Sequence, residues 1–232
     1  MRASRLLGIV VATTLFATVT CGSVAGAANL GPQSPKTLGA WVIPGGAGAP
    51  NVITWANFNG VTGTNLNGKA LNGPGTWIVD GGTWTIQTNN TVSTNVAIAN
   101  MDVNVGTQNA ATLATLTLGA TANAGLVVLD NGTVAVYALY SKAAGGTITL
   151  YKYAGGPVVL GTVTGVGTPA SALMKLDATT TTMKVSFAGT LVLSYTLTAA
   201  EITTLKTAAN SRFGLIADSD GVTRFDDFHV DN

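Results

Sequence analysis

From Val52 onward, apolar and polar side chains alternate in short runs, with little of the three-to-four-residue spacing that marks a helix. Thr147-Ile148-Thr149-Leu150-Tyr151-Lys152-Tyr153, Met183-Lys184-Val185-Ser186-Phe187 and Thr190-Leu191-Val192-Leu193-Ser194-Tyr195 read as strands. Asp80-Gly81-Gly82, Asp130-Asn131-Gly132, Ala154-Gly155-Gly156-Pro157 and Ala188-Gly189 each sit between two apolar runs and predict turns. The pattern predicts strands near 52 to 58, 77 to 79, 83 to 88, 96 to 105, 110 to 118, 124 to 129, 133 to 141, 147 to 153, 157 to 163, 172 to 177, 182 to 187, 190 to 197, 212 to 217 and 223 to 230. Many short strands at close spacing imply an all-β, two-sheet antiparallel sandwich. One short helix near 199 to 208 interrupts them: Thr198 and Glu201 form a capping box, and Ile202, Leu205 and Lys206 follow at helical spacing. A glutamine at 201 would serve that box almost as well, so Glu201→Gln is expected to cost less than about 1 kcal/mol.

The first 51 residues do not join this pattern. Met1-Arg2-Ala3-Ser4-Arg5 is basic, Leu6 to Thr20 is largely apolar, and Ala25-Gly26-Ala27 supplies small residues, which together predict a secretory signal cleaved after Ala27. Thr13, Thr14, Thr18 and Thr20 interrupt the apolar run, which falls short of the ~20 residues a spanning helix needs, so no membrane segment is expected after cleavage. The lone cysteine, Cys21, follows Thr18-Val19-Thr20 rather than the Leu and small residue of a lipid-anchor signal. Residues 28 to 51 carry Pro32, Pro35, Pro44, Pro50 and Gly45-Gly46, and read as an arm preceding one domain over 52 to 232.

Composition narrows the partners. The chain has 11 Lys and Arg against 10 Asp and Glu, with 9% charged residues and no basic cluster that could track a phosphate backbone, so nucleic acid is not an expected partner. A secreted chain without a disulfide must be held by its core, and about 200 residues suffice for one.

Trp55-Ala56-Asn57-Phe58-Asn59 leads through a loop to Trp77-Ile78-Val79-Asp80-Gly81-Gly82-Thr83-Trp84-Thr85-Ile86, and later blocks follow in order: Asp102 to Val105, Ala124 to Val128, Leu150 to Lys152, Val192 to Ser194 and Phe213 to Leu215. The chain closes on Arg224-Phe225-Asp226-Asp227-Phe228. These blocks, over about 180 residues, resemble the concanavalin A-like lectin/glucanase superfamily, in its laminin-G-like jelly-roll form. That superfamily holds lectins, sugar hydrolases, adhesion modules and structural domains, so the resemblance implies a fold and not a role.

The residues themselves predict no enzyme. The glucanases of the superfamily carry a Glu-x-Asp-x-x-Glu strand, whereas Glu201 is this chain's one glutamate and the capping box accounts for it. Neighbours on a strand point to opposite faces, so Asp226 and Asp227 are not expected to flank one glycosidic bond. A hydrolytic pair drawn from Asp102, Asp130 and Asp227 stays open as the alternative. His229 is the only histidine, no Gly-x-Ser-x-Gly turn exists, and zinc would lack nitrogen and sulfur ligands. No cofactor is required, but Asp218-Ser219-Asp220-Gly221 places two carboxylates in one loop where a structural calcium would fit.

Sugar binding needs an aromatic platform with amide or hydroxyl partners. Tyr151 and Tyr153 share a face with Thr147 and Thr149; only one of Tyr137 and Tyr140 can join it, and Asn131 offers an amide in a loop. Trp77 and Trp84 read as core anchors. The expected role is a secreted, non-catalytic module binding extracellular or cell-surface polysaccharide. An aspartate hydrolase and a structural coat or adhesion protein are the alternatives.

Overall fold

A computed structural model describes residues 51–88, 91–94, 99–119, 123–218 and 222–232. The expected leader, the arm up to residue 50, and Asp220 lie outside the described residues. The strands are β1 (Val52–Ala56), β2 (Ile78–Asp80), β3 (Trp84–Gln87), β4 (Thr91–Thr94), β5 (Ala99–Asn104), β6 (Ala110–Thr117), β7 (Asn123–Asp130) and β8 (Val134–Ser141). They continue as β9 (Thr147–Ala154), β10 (Pro157–Thr164), β11 (Ser171–Ala178), β12 (Thr182–Phe187) and β13 (Thr190–Thr196), then helix α1 (Ala199–Leu205), β14 (Arg212–Ala217) and β15 (Arg224–Asp231). All pairings are antiparallel and build two sheets: one in the order β13-β12-β11-β6-β15-β4-β3, with β1 also on β15, and one in the order β10-β9-β8-β7-β14-β5-β2.

The alternation that predicts the strands also builds the core between the sheets. On β8, Val136, Ala138 and Tyr140 are buried while the residues between them are not; on β12, Met183, Val185 and Phe187 do the same from the other sheet. Tyr140 meets Phe187 with ring centroids 4.5 Å apart. Trp84 is fully buried 5.8 Å from Phe225, and Trp77 lies 4.8 Å from Phe228, so both indoles anchor the core as expected.

Three departures have local causes. β4 pairs with β3 through Trp84↔Thr94, although its Thr-rich stretch carries little apolar alternation. Helix α1 stops at Leu205 rather than 208, because the Asn210 side chain donates to the Thr204 and Leu205 carbonyls at 3.0 Å each and ends the spiral there. Finally, β7 and β15 each carry a bulge: Leu129 (φ 57°) opposite β14, and Asp227 (φ 49°) opposite β6. Strict alternation therefore fails for Asp226 and Asp227, which are both half-buried on the bulge, and the Asp227 amide donates to Asp226 Oδ1.

Candidate functional site

The outward face of the seven-stranded sheet collects most of the chain's candidate chemistry. Tyr137 on β8 lies in register with Tyr151 on β9, and their rings stack 5.1 Å apart at 22°. Tyr153, two residues on, is 40% exposed and continues the same face. Tyr140 has the opposite parity: it is buried, and its hydroxyl donates to the Gly167 carbonyl at 2.9 Å. Burial, with the neighbouring Tyr151 and Tyr153, pushes the Tyr137 phenol up, so it stays protonated.

Beside the tyrosines stands an acidic group, with its arginine, that four strands assemble. On β2 Asp80 faces Asn100 of β5, two residues before Asp102, and β14 brings Arg212 opposite Asp130. Asp130 reaches this face because of the bulge: Val128 and Leu129 both pack into the core, which returns the next residue to the outside. The oxygens of Asp80, Asp102 and Asp130 lie within 4.8 Å of one another. Arg212 ties them together, with Nη2 at 2.6 Å from Asp80 Oδ2 and 3.3 Å from Asp130 Oδ1, and Nε at 3.6 Å from Asp102 Oδ1. The Asn100 amide donates to Asp130 Oδ2 at 2.7 Å and to Asp102 Oδ2 at 3.4 Å.

Three carboxyl groups and one guanidinium cannot all be charged at low cost in a buried setting. The structure resolves this at Asp102, which has no accessible surface. Burial first, then its hydrogen bond to Asp130 and the nearby negative charge, push Asp102 up to about 9, against the opposing pull of Arg212. It is therefore a neutral acid at physiological pH, and Asp80 and Asp130 are the carboxyl groups closest to Arg212. Burial works against the guanidinium charge, but the three acidic neighbours outweigh it and hold Arg212 firmly protonated. The trio has the oxygen-only chemistry of a hard-cation site, yet Arg212 is already the cation it holds, and a divalent ion would have to displace it.

A hollow of about 400 Å³ joins the two halves, lined by Asp80, Asn100, Asp130, Thr133, Tyr137 and Tyr153 among others. A second hollow of about 270 Å³, bordered by Lys175, Asp177 and Asp231, has no aromatic ring. Alternation and parity bring Tyr137, Tyr151 and Tyr153 together as predicted, but only Tyr137 and Tyr153 line the hollow. Asn131 shapes the turn instead: its Oδ1 accepts from the Thr133 amide and hydroxyl and from the Val134 amide, and its Nδ2 donates to Asn210. Asp218 accepts from Asn123 Nδ2 at 2.7 Å; its expected calcium partner Asp220 lies outside the described residues. His229 sits half-buried on the other sheet, opposite Trp55. Sequence reasoning missed Asp80, Asn100 and Arg212, since Arg212 and Asp80 are 132 residues apart and nothing local links them.

No family model matches the chain, and no curated protein sequence does. Solved structures do. The carbohydrate binding module CBM66 from Bacillus subtilis is similar over 67% of this chain and 95% of its own, at 14% identity and a TM-score of 0.53. A glycosyl hydrolase family protein from Mycobacterium fortuitum is similar over 78% of this chain and 99% of its own, at 9% identity and 0.52. A protein of unknown function with a galectin-like fold, also from Bacillus subtilis, is similar over 76% and 97%, at 13% identity and 0.50. The expectation that the chain is not an enzyme is overturned by this set: a glycosyl hydrolase shares the architecture across almost its whole length, so the fold separates no binder from a hydrolase. What the likeness to all three shows is a shared fold, in this chain a two-sheet antiparallel β-sandwich.

Proposed function

We propose that this domain binds polysaccharide in the hollow on the outward face of its seven-stranded sheet. The observation that carries the reading is one groove holding both an exposed ring, Tyr153, and polar groups fixed in place, Asp80, Asn100 and Asp130. Sugars present apolar C–H faces that stack on aromatic rings and hydroxyl edges that need fixed acceptors, and a groove offering both suits them. Tyr137 stiffens the platform by stacking on Tyr151, and the Arg212 network holds the acceptors without help from the ligand. The carbohydrate binding module with the same architecture supports the reading as a likeness of fold.

Titration of the whole chain against a panel of soluble polysaccharides tests it. Tyr153→Ala is expected to weaken binding about tenfold while leaving the melting temperature unchanged, because that side chain is exposed. Undiminished affinity in this variant would remove the groove from consideration. Following the same mixtures for release of reducing ends distinguishes binding with turnover from binding alone.

The basic Arg2 and Arg5, the apolar run after them and the Ala25-Gly26-Ala27 site support action outside the cell, on an extracellular or cell-surface polysaccharide. The closing Phe225-Asp226-Asp227-Phe228 supports the laminin-G-like form of the sandwich. Intact mass of exported protein beginning at Ala28 is the expected result; a mass matching the full chain, or one with a lipid on Cys21, would refute cleavage after Ala27.

A further inference from the structure

Apart from its two phenol hydroxyls, the hollow's side-chain donors are spent, and its acceptors are not. Asn100 commits its Nδ2 to Asp130 and Asp102, which leaves Oδ1 as the free atom of that amide. Thr133 donates its hydroxyl to Asn131, and the Gly132 and Thr133 amides donate to Asp130 and Asn131. Pro157 has no N–H to offer. Arg212 does not line the hollow; its side chain is 12% exposed and its charge is directed at Asp80, Asp102 and Asp130. Among the described residues no Lys or Arg lines the hollow, and beyond the two phenol hydroxyls of Tyr137 and Tyr153 its polar side chains present oxygen acceptors. Asp80 is open to solvent: its side chain is 33% exposed, and only its Oδ2 is used, by Arg212.

We propose that this groove selects sugars as hydrogen-bond donors carrying no acid group, and that Asp80 is the residue that excludes uronate and sulfated chains. The inference rests on the groove being the glycan site proposed above. A hydroxyl donates to Asp80 or to Asn100 Oδ1 and replaces water without loss. A uronate or sulfate brings acceptor oxygens where acceptors already stand, and its charge meets Asp80 and Asp130 with no Lys or Arg among the described lining residues to answer it. Specificity here comes from repulsion as much as attraction, so it depends on ionic strength, because Asp80 is open to solvent and screened by salt.

A glycan array carrying neutral, uronate and sulfated members tests this with the whole chain, at about 50 mM and about 500 mM salt, the range over which exposed charges become screened. Signal is expected on neutral members, with acidic members at least about tenfold weaker at low salt and recovering partly at high salt. Asp80→Asn is expected to raise the acidic-to-neutral ratio about tenfold, with a melting temperature measured alongside to confirm folding. Equal or stronger signal on acidic members would overturn the inference while leaving glycan binding standing. An unchanged ratio in folded Asp80→Asn would overturn the role of Asp80. Silence across the whole array would reject the binding reading and this inference with it.

Discussion

Gly214 and Asp102 face each other across β14 and β5 so closely that a β-carbon on Gly214 would fall 2.6 Å from the Asp102 Cβ and 2.1 Å from the Met101 carbonyl oxygen. The missing side chain is what lets Asp102 lie flat beneath Arg212 with no accessible surface. Gly214→Ala must push two central strands apart, and is expected to lower unfolding stability by about 2 kcal/mol or more, read from the denaturant midpoint.

The indole of Trp84 has no accessible surface and its Nε1 makes no hydrogen bond among the described residues, so its contribution is packing alone. Trp84→Ala is expected to cost about 3 to 5 kcal/mol. Trp84→Phe keeps the ring against Phe225 and forfeits no bond, and thermal denaturation should place it well above the alanine variant.

Asp102 ties stability to alkaline pH. The folded chain holds its proton to about 9, whereas an ordinary aspartate releases it near 3.8, so the stability it contributes is full below about pH 3.8 and drains as pH rises toward 9. Lys206 acts in the opposite sense above its own depressed value of about 8, which burial sets against the pull of Asp177, so the window to read is pH 4 to 8. Melting temperatures should fall across it, and Asp102→Asn, which cannot ionise, should flatten the slope. An equally steep decline in that variant would place the titration elsewhere.

Glu201 sets the acid limb. Burial alone would push its carboxyl up, but the Thr198 amide and hydroxyl, Tyr195 and Lys152 all donate to it and hold it below the usual range. Its contribution is present above the unfolded value near 4.5 and lost as pH falls through the folded one. The expectation of a cost below about 1 kcal/mol for Glu201→Gln therefore needs revising. An amide can accept at only one of these oxygens, and loss of bonds to a buried charge should cost about 1.5 to 3 kcal/mol in chemical denaturation at pH 7. The variant should also lose less stability than the parent between pH 5 and 3.

Much of this architecture is legible in the chain because period-two alternation states which side of a strand is apolar, and Gly-rich turns state where strands end. The parity argument places Tyr137, Tyr151 and Tyr153 on one face and sends Tyr140 inward. It fails where backbone conformation breaks the count. Counted in twos from the outward Val127, Asp130 belongs inside, and only the left-handed Leu129 brings it out. It fails again where the partners are remote, as for Arg212 and Asp80. Asn131 misleads for a third reason: an amide in a turn is as useful to the turn's own backbone as to a ligand, and here the backbone uses it.

Position 129 faces two demands that no amino acid meets together. Its backbone adopts a left-handed conformation that costs a non-glycine residue about 1 to 2 kcal/mol, and its side chain fills a core site that glycine would leave empty. Leucine satisfies the second demand at the expense of the first. The acidic rim is thus held in place by a standing conformational debt, and a population selected for heat resistance with no ligand present should relax it early. Straightening β7 would recover the lost stability and turn Asp130 away from the groove, so this rim is the part of the sandwich most exposed to erosion.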